Sequence, residues 1–274
     1  MWPMLREYRL RIALSLAMVV AEAAGQVALP FVLGRALEDY VGGSNRGLIV
    51  LAALGLVTML LATFRRLHDV RLYARIYERT SAIAFEQEVG LSEKTARLNL
   101  LREVVDFLEY SLPALVGSIV AFVGSLVFLA TLSVPVFFAS LVMAGLIAVI
   151  YTLTTRRTVV LNREFNDEFE RQVDVLGRND SRLTRRHIGL LNSWTIKLSD
   201  IDAINLALSL TLSVGLQIFA VVMATRQGVD FGDLLSILLY VFEISATAAT
   251  LPVSWQEYLR LRDILRRFTP PAIG

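Results

Sequence analysis

Six apolar runs, each close to the roughly 20 residues that a helix needs to cross a bilayer, organise this chain. They lie at about 12–36, 47–66, 111–132, 134–155, 204–225 and 233–254. Runs of that length indicate a polytopic all-α membrane protein. Composition agrees: 55% of the 274 residues are hydrophobic and 19% charged, against roughly 45–50% and 25% in soluble domains. The first run follows Arg6, Arg9 and Arg11 and imitates a signal peptide, with Ala21-Glu22-Ala23 as a mock cleavage site. It is too long for such a segment and further runs follow, so it reads as the first transmembrane helix.

The links alternate in length. Those after spans 1, 3 and 5 are short (37–46, the Ser133-Val134-Pro135 turn, and 226–232), whereas 67–110 and 156–203 are long. Arginine crowds the long-link side, with Arg65 and Arg66 at the end of span 2, Arg71, Arg75 and Arg79 on the first link and Arg156, Arg157, Arg163, Arg185 and Arg186 on the second. The short-link side has little beyond Arg46 and Arg226. The positive-inside rule then places both termini and both long links in the cytosol of a plasma (bacterial inner) membrane. The long links are not loops. Residues 65–89 contain neither Gly nor Pro, Gly90 reads as a helix stop and Ser92 as an N-cap; helix 156–176 leaves span 4 and breaks at Gly177–Asp180. Span 2 with its extension makes roughly 65 Å of helix, twice the hydrocarbon thickness. Two helical hairpins therefore project into the cytosol from a single six-helix domain covering 1–274.

This layout resembles the transmembrane domain of ABC exporters. Leu29-Pro30-Phe31-Val32-Leu33-Gly34 is similar to that family's Pro…Gly stretch before an acidic loop. Gly228-Val229-Asp230-Phe231-Gly232-Asp233-Leu234 is similar to its lead into span 6, and Pro252 with the Arg-rich helix after it to the exit toward the ATPase. The resemblance implies a domain-swapped homodimer in membrane lipid, with spans 4 and 5 crossing to the partner. It also implies hairpin tips, near Gly90–Thr95 and Gly177–Ser181, where a separate ATPase subunit would dock. The chain's only lysines, Lys94 and Lys197, do not follow a glycine, so a Gly-Lys-Ser/Thr phosphate loop is absent. The chain ends at Gly274, where the family's ATPase begins, and we expect no ATPase of its own. Small residues at Ala17, Ala21 and Gly25 on span 1, and Gly117, Ala121 and Gly124 on span 3, permit close helix packing.

Charged and polar residues inside the spans are the candidate site. In the last span Ser236, Tyr240, Glu243, Thr247 and Thr250 recur at helical spacing as one polar face. Glu22 lies near the middle of span 1 with Gln26 one turn on, and both acids are expected near the midplane. An intramembrane acid costs about 3 kcal/mol on insertion scales and marks a functional site by default. Glu22, Gln26, Glu243, Tyr240 and Thr247 are therefore the expected substrate- or proton-binding residues. Gln217 joins them from the row Asn205, Ser209, Ser213, Gln217 on span 5. The plainer alternatives are an interhelical hydrogen bond or a Glu–Arg35 pair for the acids, and backbone-bonded packing for the span 5 row. Glu38 and Asp39 at the external mouth read as a solvated loop.

No cofactor or metal site is expected. Cysteine is absent and the two histidines, His68 and His187, lack metal-ligand spacing. No nucleophile motif appears, and nothing suggests a nucleic-acid surface. Trp2, Trp194 and Trp255 read as interfacial anchors. The leading expectation is an ion (proton)-coupled, alternating-access transporter of a small molecule or peptide. In that general sense it is similar to proton-driven peptide transporters that carry an exporter-type membrane domain without an ATPase. The alternatives are the membrane subunit of an ATP-driven transporter and a non-transporting regulatory or scaffold protein.

Overall fold

A computed structural model describes residues 7–86 and 91–267, with side chains placed for 7–82, 98–99, 101–248 and 250. Within them the chain runs as α1 (Arg9–Val41), α2 (Arg46–Glu86), α3 (Leu91–Asp106), a π turn (Phe107–Ser111), α4 (Leu112–Leu132), α5 (Val134–Glu170), α6 (Gln172–Gly177), α7 (Ser181–Gln227) and α8 (Phe231–Arg267). Six stretches of these helices are long and apolar enough to cross a membrane. The expectations at Gly90, the first hairpin tip, Trp2, Pro252 and Trp255 lie outside the residues or side chains described. The return helix is already formed at Leu91, so Ser92 is inside it and is not its N-cap.

Local chemistry sets the helix ends. Gly42 and Gly43, the latter at φ +84°, turn the chain from α1 into α2. Ser133 is extended and Pro135 occupies the first turn of α5, where its missing N–H costs nothing. Gly228 closes α7 in the left-handed region at φ +63°, the usual glycine stop. Ser133 Oγ donates to Gln227 Oε1 at 2.8 Å, tying two of the short turns together. The π turn sits one turn before Pro113. A proline there has no N–H for the Glu109 carbonyl and its ring crowds that carbonyl, and the wider turn, with Leu112 N–H bonded to Phe107 O, relieves both.

The main core lies within the spanning part. Val27 of α1, Leu129 of α4, Val136 and Ile147 of α5, Leu216 and Ala220 of α7, and Ile237 and Ile244 of α8 are all buried together. The α1–α8 crossing is close. A side chain at Gly34 would strike the Gly232 carbonyl and Ser236, and Ser236 Oγ donates to Pro30 O at 3.0 Å. Gly25 packs on Thr58 and Gly124 on Val27, as small-residue rows allow. A second core of Leu72, Tyr73, Ile76, Leu101 and Val105 joins the arms of the first hairpin.

The second hairpin buries much less. Near its tip His187 is 3% exposed and its Nδ1 lies 2.8 Å from Glu168 Oε1, bridging the two arms. The tip breaks twice instead of once. Helix α5 ends at Glu170, α6 is a single short piece, and Asn179 at φ +49° reverses the chain before Asp180 caps α7 by accepting from the Arg182 and Leu183 N–H groups.

Candidate functional site

The tight turn between α1 and α2 makes them antiparallel neighbours, and that register brings Glu22 onto Arg65. Arg65 Nε donates to Glu22 Oε2 at 2.6 Å, and Gln26 Nε2 donates to Glu22 Oε1 at 3.3 Å. Arg65 Nη1 also donates to Asp69 Oδ2 at 3.1 Å, while His68 Nδ1 lies 3.3 Å from Asp69 Oδ1. The side chains of Glu22, Arg65 and Asp69 are 13%, 21% and 4% exposed. One guanidinium thus bridges two carboxylates in a largely desolvated place, where short charge-assisted bonds are strongest.

A cavity of about 370 Å³ opens onto this network. Its walls add Arg66 from α2 and Glu109 and Tyr110 from the π turn, with Val19, Ala23, Val70 and Pro113 as apolar lining. Gly117 keeps the wall low; a Cβ there would meet nothing within 4 Å. Three carboxylates face two guanidinium groups. The cavity suits a polar guest, and its surplus acid favours one carrying an amine or other cationic group.

The structure redistributes the residues expected from sequence. Glu22 and Gln26 do meet, and Glu22 is bonded to Arg65, the first charge after an apolar run of α2. The uncharged run 47–64 of α2 gives about 27 Å of helix before Arg65, so the Glu22–Arg65 pair sits at the end of that run remote from the 42–45 turn. The partner of Glu22 is Arg65 and not Arg35, which instead pairs with Glu38 at 3.1 Å and Asp233 at 3.7 Å. Tyr240 and Thr247 are not among the residues that line this cavity. Tyr240 is fully buried, donates to Val27 O at 2.8 Å and stacks on Phe128 with ring centroids 5.0 Å apart. Thr247 is buried and bonds back to the Glu243 and Ile244 carbonyls of its own helix. Their burial against α1 and α4 follows from the close crossing at Gly34.

Glu243 lies about 60° round the helix from Tyr240 at 100° per residue, enough to leave it exposed. Among the described residues its carboxylate has no hydrogen-bond or ion-pair partner. The contacts Tyr240–Val27 and Ser236–Pro30 fix the α1–α8 register and put Glu243 within about one helical turn of the height of Glu22. Gln217 is half-buried on α7 and does not reach the cavity. Ser209 and Ser213 bond to backbone carbonyls one turn back, and Asn205 Nδ2 donates to Thr154 Oγ1 at 3.0 Å, which is packing.

Six spans with two long hairpins at one end are the exporter plan, and a family model described as ABC transporter transmembrane region matches residues 2–232. The chain belongs to that family. No curated protein matches it. As a member of the ABC transporter transmembrane family it is a multi-pass membrane protein with a transporter-type domain. Sequence reasoning missed Arg65, Arg66, Asp69 and Glu109 in its cavity. Two cues were present. Glu22 and Arg65 are equally far from the turn between α1 and α2, so antiparallel pairing must align them. Pro113, just inside an apolar run, marks the widened turn that carries Glu109.

Proposed function

We propose that two copies of this chain enclose a translocation pathway and act as an alternating-access transporter of a small amine-bearing solute or peptide, coupled to protons through Glu243. The observation that carries this reading is Glu243 itself, an exposed and unpaired acid on an apolar helix. An acid facing lipid at the bilayer centre costs about 3 kcal/mol; at the height of Glu22, near the end of the uncharged run of α2, the cost is smaller but keeps its sign. A water-filled space or a second copy removes that cost. Glu22, its charge already matched by Arg65, shapes the substrate cavity and does not carry the proton. The lower arms of α5 and α7 also favour a second copy. Leu153, Val159, Val160, Ile196 and Ile204 are exposed along a hairpin that packs mostly on itself. The arginine-rich hairpins support a cytosolic position for both tips by the positive-inside rule.

A second reading has its own support. At the tip Phe169, Val173 and Leu176 are exposed, Val173 by 80%. Apolar residues presented to water beside a short helix fit a docking partner, and an ATPase on a separate chain is the partner the family suggests.

The absence of cysteine makes the test direct. In native membranes Ala246→Cys, on the Glu243 face, should react with a water-soluble maleimide, and Val57→Cys on α2 should not. Proteoliposomes under an imposed pH gradient should accumulate members of a labelled dipeptide and amine panel, and Glu243→Gln should abolish that uptake while leaving the dimer intact. Wild-type uptake by Glu243→Gln would refute proton coupling through this acid. A stoichiometric ATPase co-purifying with vanadate-sensitive turnover would establish the second reading.

A further inference from the structure

A second cavity, of about 410 Å³, lies on the opposite flank of the α1–α2 pair and shares only His68 with the network above. It is lined by Arg11 of α1 and by Phe64, Leu67, His68, Arg71, Leu72 and Arg75 of α2. Three features set it apart. No carboxylate lines it. Asp69, the nearest acid in sequence, is held by Arg65 and His68 and is almost fully buried. Arg11 stacks near the Tyr8 ring, Arg71 Nη1 donates to the Leu67 carbonyl, and among the described residues neither they nor Arg75 has an acidic partner. Three arginines therefore line the cavity, none with an acidic partner among the described residues.

The cavity also stands at a defined height. It begins at Phe64, the last residue of the uncharged run 47–64, and extends over the next three turns of α2. Helical side chains lean toward the N-terminus, which on α2 tips Arg71 and Arg75 back toward the apolar run; the Arg71–Leu67 bond has that direction. Phe64 and Leu67, both exposed, provide an apolar floor on the lipid side. A ligand matching this shape has an anionic head at arginine height and hydrocarbon beside Phe64.

We propose that this cavity is a binding site for one phospholipid with an anionic headgroup, its phosphate held by Arg71, Arg75 and Arg11 and an acyl chain lying along Phe64 and Leu67. With the hairpins in the cytosol, the lipid belongs to the cytosolic leaflet. The site anchors the α1–α2 hairpin at the level where Arg65, on the other side of the same helix, holds the substrate cavity. Arginine bound to phosphate at a membrane surface is the ordinary chemistry of such pockets.

Native mass spectrometry of the full chain in detergent micelles tests it, with palmitoyl-oleoyl phosphatidylglycerol and the same-chain phosphatidylcholine as probes. Phosphatidylglycerol should be retained and phosphatidylcholine should not. Arg71→Gln with Arg75→Gln should weaken phosphatidylglycerol binding by about thirtyfold, from the usual contribution of each arginine near a membrane surface. Arg156→Gln with Arg157→Gln, just past the apolar run of α5, should leave it unchanged. Equal retention of the two lipids by the wild type overturns the proposal even if the variants do not purify. Equal losses in the two variant pairs, or displacement of the lipid by millimolar inorganic phosphate, would also overturn it.

Discussion

Removing Arg65 should destabilise the protein more than removing its partner, because the two sides of the network are unequal. Arg65→Gln takes one cation from two carboxylates, Glu22 at 2.6 Å and Asp69 at 3.1 Å. Breaking a buried pair by deleting one member costs about 3–5 kcal/mol, and the 21% and 13% residual exposure of Arg65 and Glu22 trims this to about 2–4 kcal/mol. Glu22→Gln is milder. Arg65 keeps Asp69, and the new amide oxygen still accepts a hydrogen bond, so about 1–2 kcal/mol is lost. The double variant leaves Asp69 with His68 and no excess charge at position 22. It should cost about 2–3 kcal/mol, less than the single costs added, with about 2 kcal/mol of coupling. Equilibrium unfolding in mixed micelles titrated with dodecyl sulfate, followed by helical circular dichroism, measures all three. Arg66→Gln, on the exposed neighbour, should stay within about 0.5 kcal/mol of wild type. Additive single costs, or a loss below 0.5 kcal/mol for Arg65→Gln, would refute the pairing.

Two further predictions test how the spans pack. Gly34→Ala should destabilise by about 1–3 kcal/mol, because the methyl meets the Gly232 backbone, which cannot rotate away. Gly145→Ala on α5, with open space around its Cβ position, should be neutral in the same unfolding assay. Tyr240→Phe should cost about 0.5–1.5 kcal/mol, since it removes the bond to Val27 O but keeps the ring on Phe128; no measurable change would refute that bond.

The helices were readable because lipid leaves the backbone no other way to satisfy itself and because Gly, Ser and Pro mark each short turn. The hairpins were readable from the Gly- and Pro-free continuation of span 2 past its arginines. The site was readable only in part. Glu22 and Gln26 were recognisable as a pair on one helix face, but their cation comes from another helix. The last span misled because a single stripe of polar residues was read as a single environment. Its members differ by tens of degrees round the helix, and the close approach at Gly34 buries Ser236, Tyr240 and Thr247 while leaving Glu243 outside. Which part of a polar stripe faces inward depends on where the neighbouring backbone comes closest, and one helix read alone does not carry that information.

The length of α7 has a mechanical consequence. Ser181–Gln227 is one unbroken helix, held in the core at Leu216, Ala220 and Ala224. From that fulcrum to Ser181 is about 60 Å of helix. A tilt of about 5° at the fulcrum sweeps the tip through about 5 Å by the arc length of such an arm. The His187–Glu168 bridge couples the outgoing arm, α5, to the same swing. Repacking of less than an ångström among small side chains in the membrane thus becomes a displacement the size of an amino acid at the tip, and a force applied at the tip returns to the core with a twelvefold or so mechanical advantage over a 5 Å radius.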